Sequence, residues 1–514
     1  MRTKRSIINL AVSLGSQGLN IILQFVGRFI FVRHFTEEYL GVNGLFTELL
    51  NIFSLAELGI GVSMMYGLYE LIAKKQEEDI ARLMNLYRRM YMLVGITVAV
   101  VGSALIPFLD YFIGDTDIPH IRMIYIMYLA NSVISYFFSY KQTLIRADQK
   151  EYIVSGVTQI VKCIQLVVQI AAIIVTDNFY LYLGIQIGGQ ILTNIVLSMI
   201  ADRKYPYIRT RRYGFPEKET RQDLYRHIRA MAVHRFATVF VFNTDNLLIS
   251  MFTGLATMGI YSNYKMIVNN LKVVANFIYN ALTASVGDLT VTEKPEKILS
   301  VYHSLNFGLY LLLGWMSVCL LVLFNPFIEL FFGEKYLLPF STVVIIVADF
   351  FIFEMRQMTV CFHNAMGLFW YDRHKPIAEV VINLGLSLLL VREYGISGVL
   401  LGTIISSLAT NFWVEPLVFF KYGIKTEWKK NLAEYFRRYL VFTAFTVLSA
   451  VVCVWAGSLF EGKTVIGLAG KAFAVCVLYS VLAFLLFGRT TEWKFFIGKA
   501  IELISHRRKG DVLK

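Results

Sequence analysis

The chain has 514 residues, 56% of them hydrophobic and only 17% charged, with a mean hydropathy of +0.58. Apolar runs of about 20 residues or more recur along nearly its whole length, which excludes a soluble globular protein and predicts an all-α polytopic membrane protein. The formal net charge of +13 would suit nucleic acid if it lay on one surface. Placed along the chain it follows membrane topology instead, and no nucleic-acid partner is expected.

Fourteen transmembrane spans are predicted, near 6–32, 40–72, 90–113, 121–145, 152–176, 179–201, 228–252, 257–286, 300–325, 338–367, 376–391, 395–420, 439–457 and 464–488. The first is too long for a signal-peptide core and lacks a small-residue cleavage site, so it is expected to remain as a signal anchor. An even number of spans puts both termini on one side. On this map the far side carries only Arg33, Arg122, Lys335, Arg392, Lys463 and Lys471, and in the membrane lie Arg28, Lys162, Arg235, Lys265, Lys272 and Arg356. All other Lys and Arg fall on the side of the N-terminus, which is therefore expected to be cytoplasmic.

The expected organisation is an N-lobe over 1–201 (spans 1–6), a cytoplasmic linker over 202–229, a C-lobe over 230–421 (spans 7–12), two additional helices over 422–488, and a cytoplasmic amphipathic tail over 489–514. The linker's Pro206, Pro216, Arg209, Arg211 and Arg212 also suit a basic face resting on anionic head groups. In the tail, Trp493, Phe496, Ala500 and Ile504 share one side, as in a helix lying on a membrane surface.

The two lobes look like repeats. Phe35-Thr36 followed by Gly41-Val42, Phe46 and Asn51 matches Phe252-Thr253 followed by Gly259-Ile260, Tyr264 and Asn269. Gly184 and Gly188 likewise match Gly398 and Gly402, each an i, i+4 pair expected to let helices approach closely. Transporters built from such repeats carry their site at the repeat interface.

Span 8 has a wet face. At about 100° per residue, Tyr261, Lys265, Asn269, Lys272, Asn276, Tyr279, Asn280 and Thr283 fall on one side. A lysine near the bilayer centre costs roughly 2.5 to 3.5 kcal/mol on insertion scales, so this side is expected to meet water or partners rather than lipid. Similar stripes run through span 1 (Ser13, Gln17, Asn20, Gln24, Arg28), span 2 (Asn43, Thr47, Asn51, Ser54, Glu57), span 5 (Ser155, Thr158, Lys162, Gln165, Gln169) and span 7 (His234, Thr238, Asp245). Spans 13 and 14 have none and are expected to face lipid. On the stripes, Arg28, Lys162, Lys265 and Lys272 outnumber Glu57 and Asp245, which tilts the chamber toward an anionic group such as phosphate. Asn269 and Asn276 would meet an uncharged part of the same substrate. Glu57 and Asp245 are candidates for ion coupling, and Asp349 with Arg356 for coupling or gating. Pairing across helices, Arg28 with Asp245 or Arg356 with Glu354, is the structural alternative.

Enzyme signals are weak. Asp115-Thr116-Asp117 sits in a short loop without supporting carboxylates, His234, His303 and His363 are single, and no GxxxxGK[ST] sequence occurs, so no catalytic residue, metal or other cofactor is expected. Cys163, Cys319, Cys361, Cys453 and Cys476 lie inside apolar runs without CxxC spacing and read as buried thiols.

The runs Ser54-Leu-Ala-Glu-Leu-Gly-Ile-Gly61, Asp245-Asn-Leu-Leu-Ile-Ser250, Gly259-Ile-Tyr-Ser-Asn263, Leu282-Thr-Ala-Ser-Val-Gly287 and Ala365-Met-Gly-Leu-Phe-Trp370, the last followed by Asp372-Arg373 and Lys375-Pro376, resemble Wzx-type polysaccharide flippases. These form the polysaccharide-transport branch of the multidrug/oligosaccharidyl-lipid/polysaccharide exporter superfamily, and the likeness covers roughly residues 1–440. It implies two six-helix lobes, alternating access, a bacterial plasma membrane, and undecaprenyl-diphosphate-linked oligosaccharide moved from inner to outer leaflet. Membrane lipids, a polysaccharide polymerase and glycosyltransferases are the implied partners. A cation-coupled multidrug exporter of the same superfamily and a membrane glycosyltransferase or polymerase are the alternative readings.

Overall fold

Long apolar segments punctuated by Gly, Pro and short polar loops give helices throughout, because a chain in lipid must satisfy its backbone internally. The computed structural model describes residues 2–53, 57, 60–114, 116–209, 213–460 and 463–494, with no β-strand among them. The helices are α1 (Arg2–His34), α2 (Glu37–Phe53), α3 (Ile60–Ala73), α4 (Glu77–Leu105), α5 (Leu109–Ile113), α6 (Ile121–Ala147), α7 (Glu151–Thr176), α8 (Phe179–Lys204), α9 (Lys218–Thr253), α10 (Leu255–Thr292), α11 (Pro295–Phe332), α12 (Phe340–Met355), α13 (Gln357–Ala365), α14 (Lys375–Tyr394), α15 (Ile396–Ala409), α16 (Asn411–Val418), α17 (Trp428–Gly457) and α18 (Val465–Phe487). Eight helical stretches among the described residues are long and apolar enough to cross a membrane, and the chain is a multi-pass membrane protein.

Two predicted spans are split among the described residues. Segment 338–367 breaks at Arg356, and segment 395–420 breaks at Thr410 and runs after Pro416 into a π-helical turn, Phe419–Ile424; segment 40–72 contains α2 and α3. Tail residues Phe496, Ala500 and Ile504, linker residues Arg211 and Arg212, Ser54, Asp115, and the side chains of Ser13, His234, Arg235, Thr238 and Asn280 lie outside the described residues.

Cα packing divides the chain into two units, Met1–Gly259 and Ile260–Lys514. In the first, α1 packs on α7, α7 on α8, α6 on both α4 and α8, and α9 on α2. Association in lipid relies on packing and polar contacts rather than on expelling water, and the buried tyrosines show both. Tyr125 is fully buried and donates to the Gly102 carbonyl at 2.9 Å. In the second unit α11 is the axis: 61% of its apolar window is buried, against 22% for α18. Helices α12, α17 and α18 pack around it, and Tyr479 of α18 donates to the Leu311 carbonyl at 2.8 Å. The other sides of α17 and α18 expose Val451, Trp455, Phe473 and Leu485, as expected of lipid-facing helices.

Glycines set the closest approaches. A Cβ at Gly398 would run into the Leu390 carbonyl and one at Gly402 into Ser387, so the α14–α15 hairpin closes backbone to backbone as its i, i+4 pair predicts. At Gly184 and Gly188 a Cβ would meet open space, and the close contact on α8 is instead Gly189 against Gln165. One residue further along rotates the small position by about 100°. Where α2 crosses the first turns of α10 the contact is reciprocal: a Cβ at Gly41 would meet the Leu255 carbonyl, and one at Gly259 the Glu37 carbonyl.

Ion pairs join loops and span ends predicted to lie on the same side. Toward the predicted far side His34 pairs with Asp177 (2.7 Å), Arg122 with Asp110 (2.9 Å) and Lys463 with Glu334 (3.1 Å). Toward the predicted basic side Lys141 pairs with Asp202 (2.8 Å) and Arg438 with Glu492 (2.7 Å).

Candidate functional site

In the first unit the stripes of spans 1 and 5 come together, because α1 and α7 pack along their lengths. Lys162 is exposed and reaches Asn20 Oδ1 of α1 at 3.4 Å. Below it Gln165 donates to Gln169 (3.3 Å), and buried Gln169 donates to the Tyr182 carbonyl (3.1 Å). Arg28 is half-buried and acts electrostatically on the Tyr128 and Tyr182 hydroxyls. Tyr128 donates to Asn43 of α2 at 3.0 Å. Arg28 and Lys162 thus border one polar seam among α1, α2, α6, α7 and α8.

A carboxylate seam lies beside it. Glu57 accepts from Tyr91 of α4 at 2.7 Å, and Glu48 accepts from Asn246 of α9 at 2.9 Å. Asp245, next to Asn246, is half-buried. Glu48, set apart from the span 2 stripe by its helical angle, joins α2 to α9.

In the second unit α10 presents its predicted face as two parallel lines. Asn269, Asn276 and Thr283, seven residues apart, are exposed, while Lys265 and Lys272, also seven apart, are half-buried beside them. Tyr261 and Tyr279 at the edges are buried. The Lys272 ammonium lies 4.3 Å from the centroid of the Phe353 ring, a cation–π geometry. Asp349 is within electrostatic reach of both Lys272 and Lys265. Glu354 does not pair with Arg356; it accepts from Tyr279 at 3.0 Å.

Arg356 stands where α12 ends and α13 begins, so its side chain leaves the direction that α12 periodicity assigns. It donates to Glu415 of α16 at 2.6 Å. Glu415 also accepts from Lys375 at 2.6 Å, and Lys375 lies 3.2 Å from Asp372. Asn411 of α16 donates to Glu379 of α14. A buried network therefore joins the two broken helices to α14. Arg356 Nε, Glu415 Oε2 and Asn411 Oδ1 are buried without a hydrogen-bond partner among the described residues.

Glu415, Lys375 and Asp372 were not among the predicted site residues. The available signal was a glutamate immediately before Pro416 in an apolar run and Asp372 with Lys375 beside a span end; their partners, 40 residues or more away for Glu415, cannot be read from helical spacing. No group of three or more potential metal ligands occurs among the described residues.

The profile of the polysaccharide biosynthesis protein family matches residues 7–283. No curated protein matches the sequence. Among solved structures, the fold is similar to an inward-facing multidrug resistance MATE family transporter of the MOP superfamily, with a TM-score of 0.63 and 17% identity over 83% of this chain and 98% of that one. It is similar to the lipid II flippase MurJ in an inward closed conformation, with a TM-score of 0.63 and 13% identity over 94% of this chain and 99% of that one. A MOP superfamily transporter from Pyrococcus furiosus matches with a TM-score of 0.55 and 14% identity over 82% and 96% of the two chains. These likenesses assign the fold of MOP superfamily transporters.

Proposed function

The chain belongs to the polysaccharide biosynthesis protein family, and on that footing we propose that it is a flippase. Its cargo is a lipid-linked oligosaccharide with a phosphate-bearing head group, such as undecaprenyl diphosphate, carried from the cytoplasmic to the outer leaflet by alternating access of two six-span lobes. The observation that carries this reading is the α10 face. Its two half-buried lysines flank exposed Asn269, Asn276 and Thr283, an arrangement in which ammonium groups can hold phosphate oxygens while amides and a hydroxyl meet sugar. Lys162 and Arg28 supply the same chemistry from the α1–α7 seam. Ammonium and guanidinium donors bind phosphate by charge-assisted hydrogen bonds. Arg356 is committed to Glu415 and serves to hold or gate the broken helices rather than to grip the head group. An inside-negative potential favours outward transfer of an anion by about 2.3 kcal/mol per charge per 100 mV. The reading is tested by Lys265→Ala with Lys272→Ala in a strain dependent on this protein. Surface polysaccharide is expected to fall at least tenfold at unchanged protein level, and normal export would remove both lysines from the mechanism.

A cation-coupled exporter is the second reading, favoured by the unsatisfied Glu415 and Asn411 oxygens beside Glu379, which could take a cation. Resistance to cationic dyes on expression, with surface polysaccharide unchanged, would select it.

A further inference from the structure

On the basic side of the first unit, a cavity of about 610 Å³ opens between α4 and the segment that leads into α9. Its polar end is formed by Asn85, Arg88 and Arg89, and its apolar wall by Met92, Leu93 and Ile96 further along α4. The connecting segment is pinned in place. Arg82 donates to the Tyr213 carbonyl at 3.2 Å, Asn85 donates to the Gly214 carbonyl at 3.1 Å, and the Arg89 guanidinium lies 4.1 Å from the centroid of the Phe215 ring. Gly214 makes this turn at φ +69°, in the left-handed region that glycine enters without a steric penalty.

The charges here are uneven in a way that points to a ligand. Arg82, one turn earlier, is neutralised by Glu78 and Asp79. Arg88 and Arg89, which face the cavity, have no carboxylate partner among the described residues. Past them the groove floor turns apolar and open: Met92, Leu93 and Ile96 are 40%, 66% and 52% exposed, and Val100 one turn further is 63% exposed. The head of such a site takes an anion and its floor takes a hydrocarbon chain, with the change from one to the other occurring where α4 passes from its charged first turns into its apolar run. The volume lies within the range of small-molecule sites, and two adjacent arginines present the forked donors that suit phosphate.

We propose that this cavity seats a phosphate-bearing lipid from the leaflet on the basic side of the protein, its phosphate held by Arg88 and Arg89 and the start of its chain lying along Met92, Leu93 and Ile96. The site is built wholly from residues of the first unit, and it stands on the membrane-spanning fold without requiring the transport reading. Because the same chain segment that walls the cavity continues into α9, an occupied site fixes the entry to that helix.

The test uses full-length protein in nanodiscs of phosphatidylcholine, titrated with fluorescent phosphatidylglycerol and, separately, with a fluorescent polyprenyl diphosphate. The double variant Arg88→Gln, Arg89→Gln is expected to weaken binding of at least one of the two lipids tenfold or more. Met92→Trp, which fills the chain groove and leaves both arginines in place, is expected to weaken the same lipid, with both variants eluting and melting like the parent protein. Loss confined to phosphatidylglycerol identifies a phospholipid seat, and loss that includes polyprenyl diphosphate identifies a second contact for an isoprenoid lipid. Unchanged binding of both lipids by well-folded variants overturns the assignment, as does displacement of the lipid by inorganic phosphate with no effect of Met92→Trp.

Discussion

Glu415 illustrates what a buried charge demands. It is 4% exposed and accepts from both Arg356 and Lys375 at 2.6 Å. Removing one member of a buried ion network leaves uncompensated charge, which costs about 3–5 kcal/mol. Glu415→Gln is therefore expected to lower the thermal midpoint of the detergent-solubilised protein sharply, whereas Glu354→Gln, which alters a single tyrosine contact, should lower it much less. The amino-acid sequence identified Arg356 as a charge to be explained and offered Glu354 as its mate; the helix break at Arg356 redirects the side chain to a residue 59 positions away, a pairing that local periodicity does not encode. A second ionic clasp lies outside the membrane-spanning segments. Arg438 joins Glu434 and Glu492, both at 2.7 Å. Hydrogen bonds from Arg437 and Arg438 hold Glu434 below its ordinary value. For Glu492 burial acts upward and is outweighed by hydrogen bonds, chiefly from Arg438, so it too is lowered. A carboxylate depressed on folding stabilises the folded state above its unfolded pKa, about 4.5 here. That contribution is lost as pH falls below this value through the folded one. Hydrogen exchange at the start of α17 is accordingly expected to quicken relative to mid-helix amides as pH falls through the carboxylate range, from about 5 to about 3, and Glu492→Gln should flatten that dependence.

At the scale of elements, hydropathy located the helices well because length and apolarity are properties of a contiguous segment. Breaks inside a span depend on partners elsewhere, and the segments 338–367 and 395–420 read as continuous even though α12–α13 and α15–α16 are offset at Arg356 and Thr410. Glycine spacing was half legible for a related reason. Small residues four apart permit close packing, but the neighbouring helix decides which positions use it. Gly398→Ala is expected to destabilise by about 1–3 kcal/mol, the usual cost of overpacking, since its methyl would meet a backbone carbonyl that cannot rotate away. Gly184→Ala and Gly188→Ala, facing open space, should be nearly neutral. Thermal melting of the three variants side by side separates the two classes.

For the whole molecule, topology is the claim most exposed to direct measurement. Loops assigned to one side by their sparse Lys and Arg form ion pairs with one another, as Lys463 does with Glu329 and Glu334. In intact cells a membrane-impermeant maleimide is expected to label Lys463→Cys and Lys335→Cys, and to label Lys218→Cys only after permeabilisation. The reverse pattern would place the basic side outward. The polar stripes were legible because lysine and asparagine are conspicuous in apolar sequence. The cavity between α4 and residues 213–215 was not, since its two walls lie more than a hundred positions apart.

The meeting of Gly41 and Gly259 with each other's opposing carbonyls restricts how α2 and the first turns of α10 can move. Sliding either helix by one turn, about 5.4 Å, would bring Leu45 or Glu37 to the place of Gly41, and Asn263 or Leu255 to that of Gly259. None of these side chains fits against a carbonyl at that spacing. The crossing of α2 with residues 255–259 tolerates tilting about its contact point and resists translation along it.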